Sequence, residues 1–129
     1  MKKEISDLSY IKLLVDTFYG KVRIDDLLGG IFNGILHDRW EEHLEKLYTF
    51  WQTILLKEHT YNGRPFRPHA TLPVEKKHFD RWIFLFHETV DDFFAGEVAD
   101  FAKKQAGLMA EMFMHKIAVY REGPSNFIL

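Results

Sequence analysis

The chain has 129 residues, a formal net charge of -2 and no cysteine. That length suits one domain, positions 1–129, with a core of its own. Charges of both signs at 28% leave no broad basic face, which speaks against nucleic-acid binding, and the missing thiols exclude disulfides, zinc knuckles, cysteine nucleophiles and thiolate-held metal centres. The longest uninterrupted apolar run, Trp82 to Phe86, is far too short to span a membrane. Met1-Lys2-Lys3-Glu4-Ile5 leads into no signal-peptide core, so the expectation is a cytoplasmic protein with no membrane association.

Apolar residues recur at helical spacing in four places, and no segment alternates with period two for long, so the spacing predicts an all-α fold. A first helix runs from about Leu8 or Ser9 to Val22, with Ser6, Asp7 and Ser9 competing to cap it and Leu13, Leu14, Phe18 and Val22 as its stripe. Leu27 to Leu36 reads as a turn-rich passage in which Gly29-Gly30 and Asn33-Gly34 permit positive φ and prevent a long helix, with Ile31 and Phe32 as apolar anchors. Asp38 then stands as N-cap of a second long helix reaching about Lys57, where Trp40, Leu44, Leu47, Tyr48, Trp51, Ile54 and Leu55 repeat at three and four. Glu58 to Pro73 is a loop holding three of the four prolines. A third helix, about Glu75 to Phe94, is expected to bury Phe79, Trp82, Ile83, Phe86, Val90 and Phe93. Gly96 breaks it, and a fourth, about Glu97 to Tyr120, is expected to bury Val98, Phe101, Ala102, Leu108, Met109, Met112, Phe113 and Ile117 before Gly123-Pro124 ends it.

The loop carries the sharpest chemical signal. In Tyr61-Asn62-Gly63-Arg64-Pro65-Phe66-Arg67-Pro68-His69 the prolines fix φ and hold the residues before them out of the α region, so His69 sits on a stiff support. A lone histidine so held, facing helices rich in Phe, Tyr and Trp, suits the axial ligand of iron in a flat apolar macrocycle. The plainer reading is a surface histidine. Other metal chemistry finds little support: no His-Glu-x-x-His occurs, and a carboxylate-bridged di-iron bundle needs two Glu-x-x-His units where only Glu75 to His78 fits.

Tyr19 near the end of the first helix, His43 and Leu47 one turn apart on the second, and Trp82 on the third are spaced so as to converge opposite His69. A diatomic ligand polarised by ferrous iron carries negative charge, and a phenol O–H, an imidazole N–H and an indole N–H are suitable donors to it. Each also has a bland reading: Tyr19 and Trp82 as core, His43 as solvent-facing. His37, His59, His78, His87 and His115 read as ordinary surface or helix-face residues.

Taken in order, Phe18-Tyr19, Ile31-Phe32-Asn33, Trp40-x-x-His43, Phe50-Trp51, Tyr61-Asn62-Gly63-x-Pro65, His69-x-x-Leu72-Pro73 and Phe79-x-x-Trp82-x-x-Leu85-Phe86 resemble a truncated haemoglobin of the third group, over roughly positions 8 to 120. The glycine pairs typical of the first group are absent from their places. The resemblance implies a two-over-two helical sandwich around a non-covalent haem b. It makes His69 the iron ligand and puts Tyr19, His43 and Trp82 on the opposite, ligand-binding side, with His43 as gate, donor or second axial ligand. Phe32, Leu47, Tyr61, Phe79 and Phe86 are further expected contacts of the haem, and Lys46, Arg64 and Arg67 are candidates for its propionates. The implied function is binding of oxygen, nitric oxide or carbon monoxide at ferrous iron. The alternatives are a haem enzyme, a nitric oxide dioxygenase or peroxidase served by a separate reductase, the di-iron bundle, and a cofactor-free helical adaptor.

Overall fold

The computed structural model describes residues 2–61 and 73–122. Five helices follow one another: α1 (Leu8–Ile24), α2 (Gly29–Leu36), α3 (Trp40–Leu56), α4 (Lys76–Phe93) and α5 (Glu97–Glu122). Among the described residues there is no strand, only an isolated bridge between Lys3 and Phe94, so the all-α expectation holds. α1 packs on both α3 and α4, α5 lies along α4 and reaches α3, and the core fills the space between the pairs α1/α3 and α4/α5.

At the start of α1, Asp7 prevails among the three candidate caps. Its carboxylate accepts the Tyr10 N–H at 3.2 Å, satisfying one of the amides that a helix start leaves open. Ile11, Leu14, Val15, Phe18 and Val22 are buried, whereas Leu13 is 41% exposed. One residue from Leu14 is a rotation of about 100°, which carries Leu13 off the buried face.

The passage Leu27 to Leu36 is mostly helix. None of its glycines has positive φ; Gly96 is the one described glycine that does. What Gly29 supplies is closeness: a Cβ there would stand 2.7 Å from the Arg23 carbonyl oxygen, so α2 can start against the end of α1 only without a side chain. The corner is tied by Asp25, whose carboxylate accepts the N–H groups of Leu27 (3.1 Å) and Leu28 (3.0 Å) and meets Arg81 Nε of α4 at 2.7 Å. Burial acts to raise the Asp25 pKa, but Arg81 and the two amides outweigh it and hold the carboxyl below its ordinary value.

Asp38 does not cap α3; Arg39 occupies the cap position without a side-chain capping bond. The helix ends at Lys57 in the left-handed region, φ 59. α4 begins with a capping box in which the Glu75 side chain accepts from the His78 backbone and His78 accepts the Glu75 N–H. The chain's single Glu-x-x-His is thereby spent on starting a helix rather than on a metal.

The buried stripe of α5 is Ala99, Ala102, Ala106 and Ala110, continued by Phe113 and Ile117, while Phe101, Leu108 and Met112 are 44%, 49% and 41% exposed. Phe93, expected inside α4, is 37% exposed. The period was legible but the phase was not: small alanines let α5 lie close along α4, and that approach turns the large side chains outward. The N-terminal segment seals this hairpin. Lys3 bonds across to Phe93 and Ala95, and the Glu4 carboxylate accepts the Val98 and Ala99 N–H groups at 3.0 and 2.9 Å, capping α5 from a distant part of the chain. Gly96, at φ 124, makes room; a Cβ there would fall 2.1 Å from the Glu4 carboxylate. Gly123-Pro124, expected to end the last helix, lies outside the described residues.

Candidate functional site

Between the helix pairs lies a cavity of about 300 Å³. Tyr19, Leu28 and Phe32 bring α1 and the α2 corner to it, and His43, Leu47, Phe50 and Trp51 of α3 form the facing wall. His78, Phe79 and Trp82 enter from α4, with Met109, Ala110 and Phe113 of α5 below them, and Arg39, Glu42, Lys46 and Tyr61 bring polar groups to the lining. Each of these positions follows from helix periodicity: Phe79 and Trp82 lie three residues apart and His78 and Trp82 four apart, so one face of α4 presents all three.

Three of the candidate donors meet on one wall. Tyr19 is 5% exposed and packs edge-on to His43, ring centres 5.7 Å apart. The Trp82 indole, a donor only, stands close enough to the Tyr19 oxygen to draw its pKa down. Burial pushes the Tyr19 phenol up to about 12, and the Trp82 bond only partly opposes this. The hydroxyl therefore keeps its proton through the physiological range and is a donor there. Behind this wall Trp40, 4% exposed, lies edge-on to His43 at 5.9 Å. Asn33 fixes it, accepting the Trp40 indole N–H at 3.0 Å and donating to the Arg23 carbonyl at 3.0 Å, while the Arg23 guanidinium covers the ring at 4.8 Å. His43 Nε2 is buried.

Of the residues picked out in the sequence, Tyr19, Phe32, His43, Lys46, Leu47, Tyr61, Phe79 and Trp82 all line the cavity. Phe86 does not: it is 1% exposed and sandwiched between Trp51, at 5.1 Å, and Trp82, at 5.7 Å, so it supports the wall from behind. Lys46 is 69% exposed and reaches Glu42 at 3.8 Å, a loose surface pair that leaves the ammonium available at the rim. Arg64, Arg67 and His69 lie outside the described residues.

Sequence reasoning missed several contributors. His78, read as an ordinary surface or helix-face residue, is only 9% exposed and belongs to the lining; Glu-x-x-His immediately before an apolar run is a capping-box pattern and was the available signal. The α5 residues and Arg39 carry no local signature, because only the approach of α5 to α3 puts them there.

A family model of bacterial-like globins matches residues 4–118. The group 3 truncated hemoglobin ctb of Campylobacter jejuni subsp. jejuni is 35% identical over 124 residues, covering 93% of this chain and 98% of that protein. The crystal structure of a group III truncated hemoglobin from Campylobacter jejuni superposes with a TM-score of 0.83 at 34% identity, over 91% of this chain and 95% of the other. The chain belongs to the truncated haemoglobins of the third group.

Membership in this globin family implies a haem, and the residues present fit one. The cavity of this truncated haemoglobin is walled mainly by apolar and aromatic side chains, as a porphyrin face requires. Tyr19, His43 and Trp82 bring N–H and O–H groups to the lining, and Arg39 and Lys46 bring cations, which suit carboxylates. Among the described residues no cluster of three His, Asp or Glu side chains is arranged to hold a metal ion. Among the described residues, too, no helix of this globin is long and apolar enough to cross a membrane.

Proposed function

We propose that this globin, as one domain over positions 1–129, holds haem b and binds a diatomic gas, with oxygen as the leading ligand and nitric oxide and carbon monoxide as others. The observation that carries the reading is the meeting of Tyr19, His43 and Trp82 on one cavity wall, with the Tyr19 hydroxyl protonated and backed by Trp82. Haem, when bound, supplies an iron coordination position at which a diatomic molecule takes up negative charge. Tyr19 donates its O–H to that ligand. Trp82 orients the Tyr19 oxygen and excludes water, and His43 stands as a second donor and as the gate to the pocket. Phe32, Leu47, Tyr61 and Phe79 press on the flat faces and rim, with Phe86 behind Trp82. Lys46, Arg64 and Arg67 meet the propionates, and His69 is the protein's iron ligand.

A buried donor held by a second donor favours slow ligand release, which suits a reaction of the ligand better than bulk transport. The second reading, a nitric oxide dioxygenase or peroxidase-like activity served by a separate reductase, draws its support from that same Tyr19–Trp82 pairing. The test is the visible spectrum of the purified protein. A stoichiometric haem band is expected, and His69→Ala should lose or loosen the haem. A stably folded, haem-free wild type, or full retention with an unchanged ferrous spectrum in His69→Ala, overturns the assignment.

A further inference from the structure

His43 lines the cavity with its Nε2 buried, and two aromatic rings bound it there: Tyr19 at 5.7 Å and Trp40 at 5.9 Å, standing at 89° and 78° to the imidazole. Tyr19 belongs to the lining. Trp40 does not; it lies one turn before His43 on α3 and is 4% exposed. This indole is held on several sides. Phe32 stacks with it at 6.4 Å, Tyr19 tilts against it at 6.1 Å, the Arg23 guanidinium covers the ring at 4.8 Å, and its N–H is donated to Asn33 Oδ1 at 3.0 Å. The bond to Asn33 is directional in a way the ring contacts are not. Asn33 is itself oriented, because its amide donates to the Arg23 carbonyl at 3.0 Å. One exposed asparagine of α2 thereby ties the end of α1 to the first residue of α3.

A packed side chain changes rotamer only into space that its neighbours leave. For His43 that space is bounded by Trp40 on one side and Tyr19 on the other. We propose, on the reading of His43 as the gate, that Asn33 acting through Trp40 is a positioning residue for it: the Asn33–Trp40 bond keeps the indole against the imidazole and holds the gate turned into the pocket. Without Asn33 the indole keeps its apolar contacts but loses the bond that fixes its angle, and the imidazole beside it gains room to swing out. Asn33 lines no part of the cavity, so its influence on ligand entry passes through the two rings.

The test uses the ferrous holoprotein and two measurements. Carbon monoxide recombination after flash photolysis reads ligand entry. Diethyl pyrocarbonate labelling of His43, followed by mass spectrometry in the tryptic peptide 40–46, reads where the ring stands and does not depend on gas binding. Asn33 is exposed and inside α2, where alanine favours the helix, so Asn33→Ala should fold. It should speed both labelling and association about twofold to tenfold, the range for one neutral hydrogen bond. Trp40→Phe, which lacks the N–H, should also speed both, and adding Asn33→Ala to it should change nothing more. His43→Ala should give the fastest association, and in that background too Asn33→Ala should have no effect. Native labelling and association in Asn33→Ala beside a fast His43→Ala overturn the proposal, as does an effect of Asn33→Ala that persists without His43. An association rate in His43→Ala equal to that of the wild type overturns the gate reading and the proposal with it. A wild type that takes up no haem overturns the functional reading itself, an outcome distinct from the others.

Discussion

At its C-terminal end α4 meets α5 and the N-terminal segment, and there polar groups are spent inward. Thr89, fully buried, donates to the Leu85 carbonyl at 2.7 Å; Lys3 pairs its backbone with Phe93 and Ala95; Glu4 takes two amides of α5. At its N-terminal end the same helix turns Trp82 and His78 toward a cavity, where Trp82 meets Tyr19 of another helix and the His78 ring belongs to the lining. One end is closed by mutual satisfaction and serves stability. The other keeps donors in hand, and that surplus is what distinguishes a ligand pocket from a piece of core.

Substitutions at the two ends should therefore separate stability from ligand chemistry. The largest effect is expected in the closed region. Gly96→Ala places a Cβ against the Glu4 carboxylate at a φ that side chains avoid, and should cost about 2 to 4 kcal/mol in denaturant unfolding. Gas-binding rates of the surviving folded fraction should be unchanged, and a parallel change in those rates would show that the two ends are coupled.

Next comes the alkaline limit. The Tyr19 phenol is raised to about 12 in the folded protein, above the ordinary value of 10.0, so the unfolded chain gives up its proton first. Stability is then whole below about pH 10 and is lost as the pH climbs through 12, a loss on the order of 2 to 3 kcal/mol from this one group. Unfolding followed between those limits should show the decline, and Tyr19→Phe should flatten it; an equal slope in the variant would mean that other tyrosines carry it, Tyr48 being also raised by burial and by its bond to Asp16.

Tyr19→Phe is also the probe of the open region. Losing a bond to a charged ligand amounts to about 1.5 to 3 kcal/mol, or roughly tenfold to over a hundredfold faster oxygen release. Stopped-flow displacement measures this, and an unchanged rate would shift the main donor role to Trp82 or His43. The smallest effect lies at the end of α3, where Lys57 adopts φ 59: Lys57→Gly should relieve the left-handed strain and add about 1 kcal/mol in thermal unfolding without altering the haem spectrum.

The helices themselves were legible because the period of 3.6 is written in the apolar residues, and α1, α3, α4 and α5 all begin within about two residues of where caps and breakers put them. Legible too was the site's polar set, since Tyr19, His43 and Trp82 are uncommon groups on otherwise apolar faces. Two kinds of feature were not. Gly29 and its neighbours look like turn formers, yet Gly29 is there to let α2 lie against α1, and local φ preference cannot report a tertiary approach. On α5 the alanine stripe and the stripe of Phe101, Leu108 and Met112 share the same period, and bulk alone pointed to the wrong one.

By itself, then, the amino-acid sequence determined the four long helices, their order and the family to which they belong, because these depend on spacing along one chain. Which face of α5 is buried, that Phe86 stands behind the wall and not in it, and that His78 is inside were decided only when the helices packed. Those outcomes depend on how closely two surfaces can approach, a property of pairs of elements that no single segment contains.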